Sequence, residues 1–172
     1  MTMVERGSDM DVHPGGPLQV FDTALGRIGV LICYDVEFPL LGRRLMELGV
    51  QILLAPSYTE GASGYWRVRI GAMARALEGQ CITLHAPCLH DGNACVAMGG
   101  ATGAAGIFGP PDLGFPDDGV IALGEMGKPG WVVADIAADA VDHVRQQGRV
   151  RNFDHWSKQL ERLQPTISSA AE

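Results

Sequence analysis

From Arg27 to Cys33 the chain reads R-I-G-V-L-I-C, a near-continuous apolar run that ends on a thiol. Tyr34-Asp35-Val36-Glu37-Phe38-Pro39 follows at once. A run of this kind predicts a strand covered on both faces, as in a parallel sheet. Pro39 suits the first turn of a helix, where its missing N–H costs no hydrogen bond. Leu41, Leu45 and Leu48 then recur at helical spacing, and Gly49 reads as the C-terminal cap. Residues 50–55 form the next apolar run. Strand, helix, strand in this order is a βαβ unit with a parallel pair, which commits the chain to the α/β class.

The remaining pattern extends this reading. Residues 1–16 form a polar arm containing Asp9, Asp11, Pro14 and Gly15. A short strand is expected at 18–22 and a turn at 23–26. Residues 57–64 make a polar loop holding Tyr58 and Glu60. A helix over 65–79 carries Ile70, Met73, Ala74 and Leu77 at the spacing of one apolar face. A core strand follows at 81–86. Short strands are expected at 94–98, 104–108, 120–123 and 131–135, separated by Gly and Pro turns. Residues 139–147 read as a helix, and Asn152 or Asp154 could cap a last one bearing Phe153, Trp156, Leu160 and Leu163. Residues 165–172 read as a frayed tail. With neither a repeat nor a linker, residues 1–172 read as one domain.

Composition narrows the partners. Hydrophobic residues make up 47% of the chain, ample for a core. A net charge of −7 argues against nucleic acid or an anionic membrane as partner. No apolar stretch is long enough to span a bilayer. The four cysteines lie in or beside apolar strands rather than in a small secreted scaffold, which favours reduced thiols and a cytoplasmic location.

Cys33 is the candidate for chemistry. A thiol at the C-terminal tip of a buried strand, before a turn into a helix, stands where open α/β sheets place reacting groups. A structural cysteine would more often lie within the run. The helix after Pro39 offers N–H groups that favour a thiolate, and the Tyr34 N–H is placed to bind an oxyanion.

The stretch GRIGVLICYDVEFP, residues 26–39, resembles the nucleophile segment of the nitrilase, or carbon–nitrogen hydrolase, superfamily. Leu53-Leu54-Ala55-Pro56-Ser57 resembles that family's next strand and loop. Residues 65–78, YWRVRIGAMARALE, resemble its following helix. Gly103-Ala104-Ala105-Gly106-Ile107-Phe108-Gly109-Pro110-Pro111-Asp112, with Phe115-Pro116-Asp117-Asp118-Gly119, resembles a subgroup of amidases. The likeness runs from about Glu5 to about Trp156 and fits only the C-terminal part of the family's domain. It implies a partial α-β-β-α sandwich lacking N-terminal strands, and a small-molecule amide as substrate of a Cys33 acyl-enzyme. The family's catalytic Glu and Lys lie upstream of its cysteine. The only lysines here, Lys128 and Lys158, lie far downstream. The resemblance therefore implies an impaired hydrolase, or an inactive fragment that assembles with itself or with a missing N-terminal half.

Other residues carry competing readings. Ser57 and Tyr58, with Glu60, follow a strand end and should face the Cys33 side, as substrate-shaping residues or as a solvated connection. Tyr34 joins them as a substrate-binding candidate. Asp35 and Glu37 are read as bracing the turn rather than as acid or base. Glu5 matches a further family Glu only loosely. Arg75 and Glu78, one helical turn apart, read as a structural ion pair. Cys81, His85, Cys88, His90 and Cys95 space as C-x3-H-x2-C-x-H-x4-C, which lacks the paired C-x2-C knuckles of zinc sites. No metal is assigned to them, and a Cys33–His85 dyad is the minor alternative. Gly99-Gly100-Ala101-Thr102-Gly103 lacks the Lys and Ser/Thr of a phosphate loop, so no cofactor is assigned.

Overall fold

The computed structural model describes residues 15–90 and 100–163. Its sheet starts with an antiparallel hairpin, β1 (Val20–Thr23) to β2 (Gly26–Val30), across Ala24-Leu25. The Thr23 hydroxyl donates to the Gly26 carbonyl and accepts from the Leu25 N–H, while Gly26 takes φ 108, which needs a residue without Cβ. After β2 come a 3-10 turn, Cys33–Glu37, then α1 (Pro39–Glu47), β3 (Ile52–Ser57), α2 (Ala62–Gly79) and β4 (Ile82–Pro87). β5 (Gly106–Phe108), β6 (Val120–Leu123), α3 (Ala140–Gln147) and the short α4 (Asn152–His155) complete the described elements, with a 3-10 stretch over Trp156–Arg162. The strands lie in the order β1-β2-β3-β4-β5-β6. β2, β3 and β4 are parallel and the other pairings antiparallel, so the expected βαβ unit occurs twice in succession. The fold class is α/β, as the sequence implies.

Period-two alternation divides the sheet's faces. Leu53, Ala55, Thr83 and His85 point one way, towards α1 and α2. On that side Leu31, Val36, Val50 and Phe108 pack with Leu45 and Met46 of α1 and with Val68, Ala72 and Ala76 of α2. Each fully buried aliphatic or aromatic side chain of this kind stabilises by about 1.5–3 kcal/mol. Ile82 and Ile107 point to the opposite face, where Val141 of α3 and the side chains of Val132, Ala134 and Ile136 cover them in part. Beside them a cavity of about 520 Å³ opens onto Ile52, Leu84 and Ile107.

Three expectations need correction. First, β2 ends at Val30, so Cys33 is not a strand residue. The Leu31 N–H still bonds the Leu54 carbonyl at 2.9 Å, and the chain then leaves the sheet. Second, α2 starts at Ala62 and buries a different face from the one its large apolar residues suggest. Ile70 is 63% exposed and Leu77 41%, whereas Tyr65, Val68, Gly71, Ala72, Arg75, Ala76 and Gly79 are buried. Small residues win because α2 lies close to the turn below it: a Cβ on Gly71 would stand 3.0 Å from the Val36 carbonyl oxygen. Third, residues 131–135 alternate as a strand should, with Trp131 97% and Val133 80% exposed, but they join no ladder among the described residues. The polar arm as far as Pro14, the expected strand at 94–98, Gly99 and the tail from Gln164 lie outside the described residues, as do Glu5 and Cys95. No helix among the described residues is long and apolar enough to cross a membrane.

Candidate active site

Cys33 takes φ 50, the left-handed region that residues other than Gly, Asn and Asp seldom occupy. It does so where the extended chain at Ile32 turns into the 3-10 turn, whose short radius lifts the thiol out of the line of the sheet. Strain of this sort costs about 1–3 kcal/mol and persists only where the surroundings enforce it. Here they do. Asp35 and Val36 are fully buried beneath the turn. Arg75 reaches up from α2 to donate to the Val36 carbonyl at 2.9 Å, and its other nitrogens bond Glu78 at 3.0 Å. Arg75 is only 5% exposed, and Gly42 of α1 makes room for it: a Cβ there would stand 2.3 Å from Arg75 Cδ. The Arg75–Glu78 pair is thus a structural brace for the cysteine turn, one layer below it.

A cavity of about 270 Å³ opens above the turn, lined by Cys33, Tyr34, Glu37, Tyr58, Thr59, Glu60, Gly61, Ser63, Gly64, Arg67 and Val68. The Cys33 Sγ–H donates to the Tyr58 carbonyl at 3.4 Å, a bond that only the protonated thiol can make. The Tyr34 N–H, next along the chain, meets no acceptor among the described residues. Its ring packs edge-on against Phe38, with centroids 4.9 Å apart. Glu37 accepts from Arg67 Nε at 3.3 Å, an ion pair that the sequence reading did not identify. Thr59 is tied down by its hydroxyl, which donates to the Thr102 carbonyl.

Cys33, Tyr34, Tyr58 and Glu60 are brought together, whereas Ser57 is not among the lining residues. Ser57 is 7% exposed and turns inward, its Oγ 3.0 Å from His85 Nε2. The parity of β3 signals this: Leu53, Ala55 and Ser57 share the helix-facing side. His85 stacks on Tyr65 and is 2% exposed, and its Nδ1 has no hydrogen-bond partner among the described residues. Burial pushes its imidazole down to about 4, with the nearby Arg69 charge adding to the effect. It faces Ser57 rather than Cys33. Cys81 lies in the core at 0% exposure, and burial pushes its thiol up to about 11. Cys88 is exposed, and the Tyr58 hydroxyl lies 3.3 Å from His90 Nε2. Among the described residues no three His, Cys, Asp or Glu side chains converge on a point where a metal ion could sit. Lys128 pairs with Glu125, and neither it nor Lys158 is among the residues lining the Cys33 cavity.

Comparison with known proteins places this arrangement. The carbon-nitrogen hydrolase profile matches residues 3–92, more than half of the chain and all of the cysteine turn. The chain belongs to the carbon-nitrogen hydrolase family. It is 32% identical over 153 residues to the probable hydrolase YhcX of Bacillus subtilis, covering 89% of this chain and 30% of that one. Its fold matches Saccharomyces cerevisiae Nit3, a member of branch 10 of the nitrilase superfamily, with TM-score 0.61 at 22% identity, covering 78% of this chain and 46% of that one. It also matches a mutant of the amidase from Nesterenkonia sp. AN1, whose structure shows the result of Michael addition of acrylamide at the active site cysteine. There the TM-score is 0.57 at 25% identity, covering 79% of this chain and 48% of that one. This chain of the carbon-nitrogen hydrolase family therefore spans from about a third to a half of the length of these relatives.

Proposed function

We propose that this chain carries the nucleophile of a thiol-dependent amidase, with Cys33 forming the acyl-enzyme. The observation that carries the reading is the strained backbone of Cys33, φ 50, held by buried neighbours beside a cavity and next to the Tyr34 N–H, which meets no acceptor among the described residues. Strain enforced at a thiol in an open cavity is what a positioned nucleophile requires, and family membership supplies the context. In this mechanism Cys33 Sγ attacks the carbonyl carbon of an amide and the Tyr34 N–H binds the oxyanion. Collapse expels ammonia or an amine, and water then releases the acid. Tyr34 and Tyr58 flank the bound amide, while Ser57 supports the loop from inside.

We propose further that turnover by this chain is impaired. The cavity's single lining cation among the described residues is Arg67, already bound to Glu37. No lysine lines the cavity among the described residues to stabilise the tetrahedral intermediate. Groups that act as a unit fail together, so turnover by the chain alone should be a trace. The test separates acylation from turnover. An activated ester such as p-nitrophenyl acetate needs no protonated leaving group. It should add one acetyl mass at Cys33, lost in Cys33→Ala, while ammonia release from small amides stays at background. Acetylation mapping elsewhere overturns the reading.

A second reading has its own observation. Trp131, Val133 and the cavity beside Ile52 and Ile107 leave apolar surface open on the sheet's second face. We propose that this face is covered by association, with another copy or with a complementary polypeptide, whether or not Cys33 turns over.

A further inference from the structure

The charges around Cys33 are unequal. Among the described residues, three ionisable side chains other than the thiol and the tyrosines line its cavity: Glu37, Glu60 and Arg67. Glu37 and Arg67 neutralise each other across 3.3 Å. Glu60, exposed on the loop between β3 and α2, has no cationic partner among the described residues. The described wall therefore carries one uncompensated negative charge. A sphere of about 270 Å³ is roughly 8 Å across, about one Debye length at physiological salt, so a ligand inside feels that charge partly screened at the far wall and more fully at lower salt. The net charge of −7 adds a field of the same sign. The neutral part of the lining is polar as well: Tyr58, Thr59, Ser63 and the glycines Gly61 and Gly64 offer hydroxyl and backbone groups rather than an apolar slot.

We propose that the Cys33 cavity selects amides that carry a cationic group, an ammonium or guanidinium, and that Glu60 is the residue that recognises it. This rests on Cys33 as the reacting thiol and deepens that reading by naming the substrate class. Anionic amides are disfavoured because Arg67 is held by Glu37 and Glu60 repels them.

The test reads the charge preference of the thiol itself and needs no turnover. The full chain with Cys88→Ser and Cys95→Ser keeps Cys33 and the buried Cys81. It is treated with three methanethiosulfonates, bearing a trimethylammonioethyl, a methyl or a sulfonatoethyl group. In each exchange the thiolate attacks the sulfenyl sulfur, a mixed disulfide forms, and methanesulfinate leaves. Rates at Cys33 are divided by those of 2-mercaptoethanol. A companion chain with Cys33→Ser and Cys95→Ser reports the preference at exposed Cys88, which samples the field of the whole molecule.

A unit charge about 8 Å away changes each charged reagent's rate about 2.4-fold, in opposite directions, so the cation-to-anion ratio changes about sixfold. The ratio at Cys33 should exceed that at Cys88 by about this factor at low ionic strength. Glu60→Gln should remove the excess, and Asp22→Asn, on the Arg27 pair at the opposite end of β2, should leave it intact. Reaction at Cys33 with the same ratio as Cys88, or a ratio indifferent to Glu60→Gln, overturns the selection and leaves the thiol's role standing. A Cys33 that reacts with none of the three reagents, while Cys88 reacts with all, overturns both.

Discussion

Cys33, Cys81 and His85 are three side chains whose chemistry is set by where the backbone puts them. Cys33 is lifted off the sheet by one left-handed residue, whereas Cys81 faces the core and its thiol is pushed up to about 11. His85 is held neutral against Ser57 and Tyr65. Its folded value of about 4 lies below the ordinary 6.5, so the unfolded chain binds the extra proton between those values. Stability from this site is therefore complete above about pH 6.5 and falls as pH drops towards 4, by roughly 3 kcal/mol over the window. Urea denaturation at a series of pH values should show this slope, and His85→Gln should flatten it. An unchanged slope in the variant would assign the acid sensitivity to other groups. The residue-scale site was legible in part. The apolar run ending at Cys33 and the segment after it pointed to the thiol. The positive φ and the inward turn of Ser57 were not read, because a dihedral angle and a partner on the neighbouring strand are both non-local products of packing.

At the scale of elements, the brace beneath the cysteine turn is the feature with the largest expected energy. Arg75 joins α2 to the Val36 carbonyl and to Glu78, and Gly42 lets α1 pass over it. Arg75→Met should destabilise the chain by about 2–3 kcal/mol, since it strips a buried carbonyl and a partly buried carboxylate of their donors. Gly42→Ala should cost about 1–3 kcal/mol by forcing Cβ into the Arg75 stem. Both should slow Cys33 alkylation relative to the parent chain; loss of stability with unchanged thiol reactivity would separate the brace from the site. The β2–α1–β3 unit was legible because continuous apolar strands and leucines at helical spacing carry their own signal. The buried face of α2 was not. Gly71, Ala72, Ala76 and Gly79 contribute close approach rather than hydrophobic area, so a pattern of large side chains points to the wrong side.

For the whole molecule, the two sheet faces differ in how fully they are covered. Helices seal one, while the other keeps a cavity of about 520 Å³ and a strand-like segment with exposed Trp131 and Val133. Alternation at 131–135 was legible as strand character, but a ladder needs a second strand, and sequence periodicity cannot say whether one is present. Exposed apolar surface with unpaired extended backbone favours association. Light scattering should show a mass that rises with concentration, and Trp131→Ser with Val133→Ser should reduce that rise; a concentration-independent monomer in the parent chain would contradict it. The central claim, that the fold makes Cys33 the reactive thiol, is tested most directly by a limiting amount of iodoacetamide followed by peptide mapping of the native chain. The account predicts label first on Cys33, ahead of the more exposed Cys88, with Cys81 modified only after denaturation. Label accumulating first on Cys88, Cys95 or Cys81 would contradict it.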